Sequence, residues 1–250
     1  MTPAESFQRR YARQLCMPEI GPEGQEKLRR ASVLIIGAGG LGSPAALYLA
    51  AAGVGCIGLA DGDTVDLSNL QRQILHSTEK LGVSKAVSGA ERLSALNPEI
   101  RVLSSEVFVR EDNIDGLIAP YDFVLECTDS FEAKYLVNDA CVRARKPFCW
   151  GAVLRFYGQM MTVLPGKSAC YRCAFPQPPA AERAKDAARL GVVGPVPGVI
   201  GCLQAMETVK YFTGAGELLT DRMLTFDALE TDFQTVGFAR SSACPACGGL

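Results

Sequence analysis

Short apolar runs alternate with helix-length stretches over the first 150 residues of the chain. The first run, VLIIG at 33–37, is β-branched and is followed by an Ala- and Leu-rich stretch of helical length. Further runs of this kind lie at 55–60, 100–106, 121–127 and 147–151, with helical patterns at 84–96, 111–118 and 131–143. Such alternation is typical of a parallel sheet with crossover helices. It predicts an α/β fold with a Rossmann-like, mostly parallel sheet.

Both ends of the chain depart from this alternation. Residues 5–15 and 22–30 have the pattern of two short polar helices. After Ala152 the runs GQMMTVL, RMLTFDAL and DFQTVGFA predict further strands around a helix at 199–212. Residues 176–198 are rich in Pro and Gly at both ends, which predicts a long surface loop, either functional or a plain spacer.

Composition narrows the class of protein. The chain has 250 residues, 48% of them hydrophobic and 21% charged, with a net charge of −2. This composition is that of a globular protein without the basic excess of a nucleic-acid-binding surface. The polar N-terminus lacks the apolar region of a signal peptide, and the longest apolar stretch, 45–60, is interrupted by glycines. We therefore expect no membrane segment, no nucleic-acid partner and a reducing, cytoplasmic setting.

A glycine-rich motif follows the first predicted strand and opens a helix. The glycines of this GAGGLG motif are Gly37, Gly39, Gly40 and Gly42. Glycines at this spacing permit a tight turn and let the backbone approach a phosphate at a helix N-terminus. Asp61 and Asp63 end the second predicted strand, where an acid that binds ribose is expected. The motif predicts a nucleotide site, the alternative being a turn chosen for packing.

The loop after the second predicted strand carries polar and cationic residues that indicate which nucleotide binds. The polar residues of this region are Ser68, Asn69, Gln71, Arg72 and Lys85. Cations and amide donors neutralise and orient a triphosphate, whereas NAD, the usual ligand of the fingerprint, needs an apolar nicotinamide pocket. Arg72 and Lys85 could instead be solvated surface charges. Asp129 follows the FVLEC strand, where it could hold Mg²⁺, cap the helix that begins near Phe131, or do both.

Two CxxC pairs point to a metal. Their residues are Cys170, Cys173, Cys244 and Cys247. Four thiolates at this spacing predict a closed, structural zinc site, with a redox role for one pair as the alternative. We interpret the other six of the ten cysteines as core residues, and the single histidine, His76, as structural.

With these residues, the chain resembles the ThiF/MoeB family, the bacterial relatives of ubiquitin-activating enzymes. The matching motifs are RYARQ at 10–14, GAGGLG at 37–42, LADGD at 59–63, SNLQRQ at 68–73, Lys85, ECTD at 126–129, CYRC at 170–173, GVVGPVPGVIGCLQAME at 191–207 and CPAC at 244–247. The resemblance implies adenylation of the C-terminal Gly-Gly carboxylate of a small ubiquitin-like sulfur carrier, which consumes ATP and releases pyrophosphate, for thiamine or molybdopterin biosynthesis.

The resemblance also implies roles for individual residues. Gly40, Asp61 and Asp63 would bind the adenosine part of ATP. Asn69, Arg72 and Lys85 would hold the phosphates, and Asp129 would bind Mg²⁺. Arg13 corresponds to an arginine finger that reaches the neighbouring subunit, which implies a homodimer. The rival hypotheses are an NAD(P)-dependent oxidoreductase and an inactive carrier-docking module.

One position departs from the family. Members usually carry a cysteine in the crossover loop where this chain has Ala187. The missing cysteine has two explanations. Either the reaction in this lineage stops at the adenylate, or the alanine was introduced by substitution. Because no rhodanese-like extension follows Leu250, we expect a separate sulfur donor. The expected organisation is one adenylation domain, with N-terminal helices (1–30), a nucleotide-binding part (31–152) and a carrier-binding and zinc part (153–250) that includes the crossover loop 176–198.

Overall fold

The computed structural model describes residues 2–180 and 190–250. The strands are β1 Ser32–Ile36, β2 Cys56–Ala60, β3 Arg101–Ser105, β4 Phe123–Glu126, β5 Phe148–Leu154, β6 Tyr157–Val163, β7 Arg222–Asp227 and β8 Asp232–Gly237. The helices are α1 Pro3–Arg10, α2 Ala12–Leu15, α3 Gly21–Arg30, α4 Gly42–Ala52, α5 Lys85–Leu96, α6 Ile114–Ile118, α7 Phe131–Arg143, α8 Tyr171–Ala174 and α9 Pro195–Thr213.

One eight-stranded sheet joins both halves of the chain, in the order β3-β2-β1-β4-β5-β6-β7-β8. The strands from β3 to β5 pair in parallel, and β5 through β8 pair antiparallel. The change of direction occurs at β5, whose end is joined to β6 by a tight hairpin. The predicted fold class, a mostly parallel sheet followed by further strands, is confirmed.

The core lies on both faces of this sheet. Alternate residues of β1 point to opposite faces, so that Val33 and Ile35 belong to one buried cluster and Leu34 and Ile36 to the other. Helices α4, α5 and α9 cover the first face, and α6 and α7 cover the second. In the part of the chain that is described, no helix has both the length and the apolar character needed to cross a bilayer.

The N-terminal helix expected at 5–15 is divided. Helix α1 ends and α2 begins at Tyr11, whose φ of −101° and ψ of 13° are not helical. The ring of Tyr11 is buried against Gly53, and its hydroxyl accepts a hydrogen bond from Asn97 at 2.8 Å. The single helix was a wrong prediction because this contact with the domain body interrupts a locally helical pattern.

Candidate functional site

The glycine motif forms the turn between β1 and α4. Gly37 has a φ of +96°, and a Cβ there would lie 2.7 Å from the carbonyl oxygen of Cys127. A Cβ at Gly42 would lie 1.9 Å from the carbonyl oxygen of Gly37, so neither position accepts a side chain. A Cβ on Gly39 would lie 3.6 Å from Gln73 Nε2, and a Cβ on Gly40 would lie 3.2 Å from Pro197. As glycines, these two residues leave their peptide groups uncovered by side chains of their own. The turn therefore presents peptide groups at the N-terminus of α4, which is the arrangement that binds phosphates.

Two side chains, the half-buried Asp61 and the buried His76, hold the peptide groups of Ala38 within this turn. Asp61 Oδ2 accepts a hydrogen bond from the Ala38 N–H at 2.8 Å, and Asp61 Oδ1 accepts one from Asp63 at 2.9 Å. His76 Nε2 lies 2.9 Å from the Ala38 carbonyl, and His76 Nδ1 lies 2.9 Å from Ser88 Oγ. Because a carbonyl only accepts, the Nε2 atom carries the proton. Burial lowers the pKa of His76 and raises the pKa of Asp61.

His76 is therefore a structural residue, as predicted from the sequence. Its contact with the glycine turn was not predicted. Asp61 has both carboxylate oxygens engaged by backbone N–H groups, and each oxygen keeps a further lone pair for a ribose hydroxyl. The ribose-binding role of Asp61 and Asp63 stays a prediction.

The two predicted phosphate-binding cations lie at different depths. Lys85 is buried, with 7% of its side chain exposed, and its Nζ is 2.9 Å from Asp63 Oδ2. Its interpretation as a solvated surface charge is wrong, because burial at the start of α5 removes the ammonium from solvent. Arg72 is half-buried, with its Cγ 3.5 Å from the position of a Cβ on Gly40. The structure therefore brings Arg72 to the glycine turn.

The remaining polar residues of this loop lie around Arg72. Arg72 Nη1 donates to the Ser68 carbonyl at 3.1 Å, and Asn69 Nδ2 donates to Ser68 Oγ at 3.5 Å. Gln71 Nε2 donates to the Val192 carbonyl at 3.4 Å, which ties the loop to the end of the crossover segment. Ser68 and Asn69 thus lie close to Arg72, and Gln71 contacts the crossover segment.

Asp129 lies exposed in the turn between β4 and α7. Its alternative role as the cap of this helix is wrong, since Ser130 is the N-cap and its Oγ accepts from the Ala133 N–H at 3.1 Å. The exposed carboxylate at the carboxyl end of a parallel strand is free to hold Mg²⁺ together with phosphate oxygens.

Beneath this turn lies a buried ion pair that the sequence analysis missed. Lys134 Nζ donates to Glu126 Oε2 at 2.7 Å, to the Thr128 carbonyl at 2.8 Å and to the Gly151 carbonyl at 2.5 Å. Glu126 in turn accepts from the Thr128 N–H at 2.9 Å and from the Thr128 hydroxyl. The peptide groups on both sides of Thr128, directly before Asp129, are therefore fixed. The available signal was a lysine on the otherwise largely buried face of α7.

Arg13 is not brought to the glycine turn of its own chain. Its neighbour Gln14 donates to the Ala52 carbonyl at 3.1 Å, at the C-terminal end of α4. The glycine turn is at the other end of this 11-residue helix, about 16 Å away at a rise of 1.5 Å per residue. Arg13 itself is exposed.

The site has properties that suit a nucleotide. Three side-chain oxygens near it are buried without a hydrogen-bond partner in the described chain, namely Ser43 Oγ, Gln73 Oε1 and Ser84 Oγ. Ser43 lies in the first turn of α4, Gln73 faces Gly39, and Ser84 precedes Lys85. Buried polar atoms of this kind cost free energy until a ligand or water satisfies them. The glycine turn, the cations and the two serine hydroxyls, which can donate, fit the phosphates of a nucleotide, whereas Gln73 Oε1 only accepts and fits an O–H or N–H of its sugar or base.

The two CxxC pairs converge into one cluster, although they lie far apart in the chain. The sulfur atoms of Cys170, Cys173, Cys244 and Cys247 all lie within 4.8 Å of one another. The Sγ–Sγ distances are 3.6 Å for Cys170–Cys244, 3.4 Å for Cys173–Cys247 and 4.0 Å for Cys170–Cys173. A tetrahedral zinc ion with bonds of about 2.3 Å separates its sulfurs by about 3.8 Å. The cluster could therefore bind zinc.

The other cysteines divide by burial. Cys127, Cys141 and Cys149 are buried and belong to the core, as interpreted, and burial raises the pKa of each thiol. Cys16 is exposed, so its interpretation as a core residue is wrong. It follows the short helix α2, whose residues are not buried.

A model of the ThiF family matches residues 11–246. The chain belongs to the ThiF family. It is 45% identical over 244 residues to a protein of Thermus thermophilus named Sulfur carrier protein adenylyltransferase, with 96% of this chain and 90% of that protein covered. It is 46% identical to Adenylyltransferase and sulfurtransferase MOCS3-2 of Zea mays, with 96% of this chain covered but only 50% of the maize protein. The chain thus spans about half the length of its maize relative.

Among solved structures, E. coli MccB with ATP superposes with a TM-score of 0.80 at 26% identity, covering 90% of this chain and 69% of that one. The family that the motifs indicate is therefore shown by sequence and by fold, and ATP appears in the structure of this neighbour.

Proposed function

We propose that this chain adenylates the C-terminal Gly-Gly carboxylate of a small ubiquitin-like sulfur carrier protein. The observation that carries the proposal is the position of Arg72 beside the glycine turn and of Lys85 on Asp63, next to the Asp61 carboxylate that binds this turn. Two cations next to a phosphate-binding turn suit a triphosphate better than a dinucleotide. The printed name of the Thermus relative agrees with this activity, and an NAD(P)-dependent oxidoreductase is not favoured.

In the proposed reaction a carboxylate oxygen of the carrier attacks the α-phosphorus of ATP. A new C–O–P linkage forms, the bond between the α-phosphorus and the bridging oxygen breaks, and pyrophosphate leaves with its electron pair. The carboxylate is ionised at neutral pH and needs no general base. The obstacle is electrostatic, because two anions meet and negative charge accumulates on the phosphates.

This chain's own residues would counter that charge. Arg72 would contact the phosphates from its place beside Gly40. Lys85 has three N–H donors, of which Asp63 occupies one, so others remain for a phosphate oxygen. Ser68, Asn69 and Gln71 would orient the triphosphate. Asp129 would hold Mg²⁺, which when bound supplies positive charge between the phosphates.

The proposed active unit is a homodimer in which Arg13 completes the neighbour's site. Support comes from the separation of Arg13 from its own glycine turn by the length of α4. The test mixes Arg13→Ala subunits with Arg72→Ala subunits. Each homodimer should be inactive, and the mixed dimer should recover one working site. If mixing recovers no activity, Arg13 does not act in trans.

Further parts of the proposal concern partners and setting. Ala187, the departure from the family pattern, lies outside the described residues, and its lack of a thiol supports a separate sulfur donor. The carrier would serve thiamine or molybdopterin synthesis. Ten cysteines, none of them in a disulfide in the described chain and four of them in the CxxC cluster, support a reducing, cytoplasmic setting. The single sheet that spans residues 32–237 supports one adenylation domain.

The deciding experiment is ATP–pyrophosphate exchange with a panel of purified small carriers that end in Gly-Gly, encoded in the same genome. We expect exchange that depends on Mg²⁺ and on one carrier. Tight binding of Mg·ATP without exchange for any carrier would favour an inactive docking module. An enhancement of NADH fluorescence on binding would favour the oxidoreductase instead.

A further inference from the structure

Arg13 combines a backbone segment tied to the domain body with a side chain that makes no such contact. In the described part of the chain its guanidinium has no hydrogen bond or ion pair, and the residue is exposed. The residues on both sides of it, Tyr11 and Gln14, are tied to the domain body. A surface arginine of a four-residue helix would otherwise be expected to lie on a mobile segment.

The first anchor precedes Arg13. The ring of Tyr11 packs against Gly53, and only 3% of the residue is exposed. Its hydroxyl accepts from Asn97 Nδ2 at 2.8 Å, and the same Nδ2 donates to the Ala50 carbonyl at 2.7 Å. Asn97 is fully buried.

The second anchor follows Arg13. Gln14 Nε2 donates to Gln25 Oε1 at 2.7 Å, and Gln25 Nε2 donates to the Ala52 carbonyl at 2.9 Å. Gln25 is fully buried in α3. Ala50 and Ala52 belong to the last turn of α4, where the Ala50 carbonyl also accepts the N–H of the C-cap residue Gly53 at 3.2 Å. The two anchors therefore donate hydrogen bonds to carbonyls at the C-terminal end of α4. The N-terminal end of the same helix forms the glycine turn.

We infer that Gln25 and Asn97 are positioning residues that hold Arg13 in the orientation needed to enter the neighbouring subunit's site. The inference rests on the proposed function, because it needs Arg13 to act in trans. The buried amides fix the segment on a rigid helix, so that Arg13 reaches the neighbour's phosphates without a search through many conformations. Neither residue would contact ATP, and neither would affect the site of its own subunit.

That asymmetry between subunits provides the test. In the mixed dimer described above, the Arg72→Ala subunit donates Arg13 and the Arg13→Ala subunit supplies the working site. Gln25→Met, which keeps the length of the side chain and removes both hydrogen bonds, is placed first in the donating subunit and then in the subunit with the working site. Each dimer is assayed by ATP–pyrophosphate exchange with the carrier that supports exchange in the wild-type protein.

We expect exchange to fall about tenfold to a hundredfold when Gln25→Met lies in the donating subunit, as displacement of a catalytic group by an ångström would produce. In the other subunit the same substitution should leave exchange unchanged. Equal losses in both arrangements would indicate a general structural role and overturn the inference. No loss in either arrangement would overturn it as well.

The outcomes separate this inference from the proposed function. Absence of exchange in the wild-type protein would refute the function, and absence of recovery in the mixed dimer would refute both the trans role of Arg13 and this inference. If Gln25→Met yields no folded dimer, Gln14→Met replaces it, since Gln14 is only half-buried and its loss removes the same anchor.

Discussion

Removal of Lys134 tests the buried ion pair beneath Asp129. The side chains of Lys134 and Glu126 are 5% and 0% exposed, so the pair is almost completely desolvated. Lys134→Met keeps much of the apolar stem and deletes the ammonium. The Glu126 carboxylate then remains buried without its counter-ion, and the carbonyls of Thr128 and Gly151 each lose a donor.

The loss of one partner from a buried pair costs about 3–5 kcal/mol of the free energy of unfolding. In the double variant Glu126→Gln with Lys134→Met no buried charge remains, so about 2 kcal/mol should be regained. Lys27→Met is the matched control. Lys27 forms an ion pair with Glu23 at 3.0 Å, but the two side chains are 48% and 85% exposed, so its removal should cost less than about 1 kcal/mol.

The assay is urea unfolding followed by the fluorescence of Trp150, the single tryptophan, which is buried in β5 next to Gly151. Protein and zinc concentrations are held constant, since subunit association and metal binding both shift the unfolding midpoint. A Lys134→Met protein within 1 kcal/mol of the wild type would refute the reasoning. So would a double variant no more stable than the single one.

Three further predictions concern the site, the cysteine cluster and the histidine. Asp129→Ala should abolish ATP–pyrophosphate exchange while calorimetry still detects carrier binding, and retained exchange would remove Asp129 from the site. Cys247→Ser should lower the bound zinc measured by elemental analysis and lower the urea midpoint, whereas unchanged zinc would exclude the cluster as its site. Because burial holds the pKa of His76 below its ordinary value of about 6.5, the folded state binds fewer protons than the unfolded state. Stability should therefore decline as the pH falls from about 6.5 through the folded-state pKa, and His76→Gln should remove that part of the pH dependence, so identical pH profiles would contradict it.

Local patterns determined much of the architecture. The apolar run of β1, the glycines after it and the Ala-rich α4 each have a short-range signature, so the strand–turn–helix unit could be predicted from sequence. The same is true of each CxxC pair, whose spacing presents two sulfurs to one metal. Family motifs extended this to the candidate residues Arg72, Lys85 and Asp129.

The sequence by itself thus determined the fold class and the glycine turn, because their patterns are local, and the resemblance to a family added the candidate site residues. Only the tertiary structure decided which distant groups meet, since burial and pairing are set by packing across the sheet. It joined Lys134 to Glu126, placed His76 on the Ala38 carbonyl, and divided the N-terminal helix at Tyr11. It also put Arg13 at the far end of α4 from its own glycine turn, a separation that no local pattern encodes.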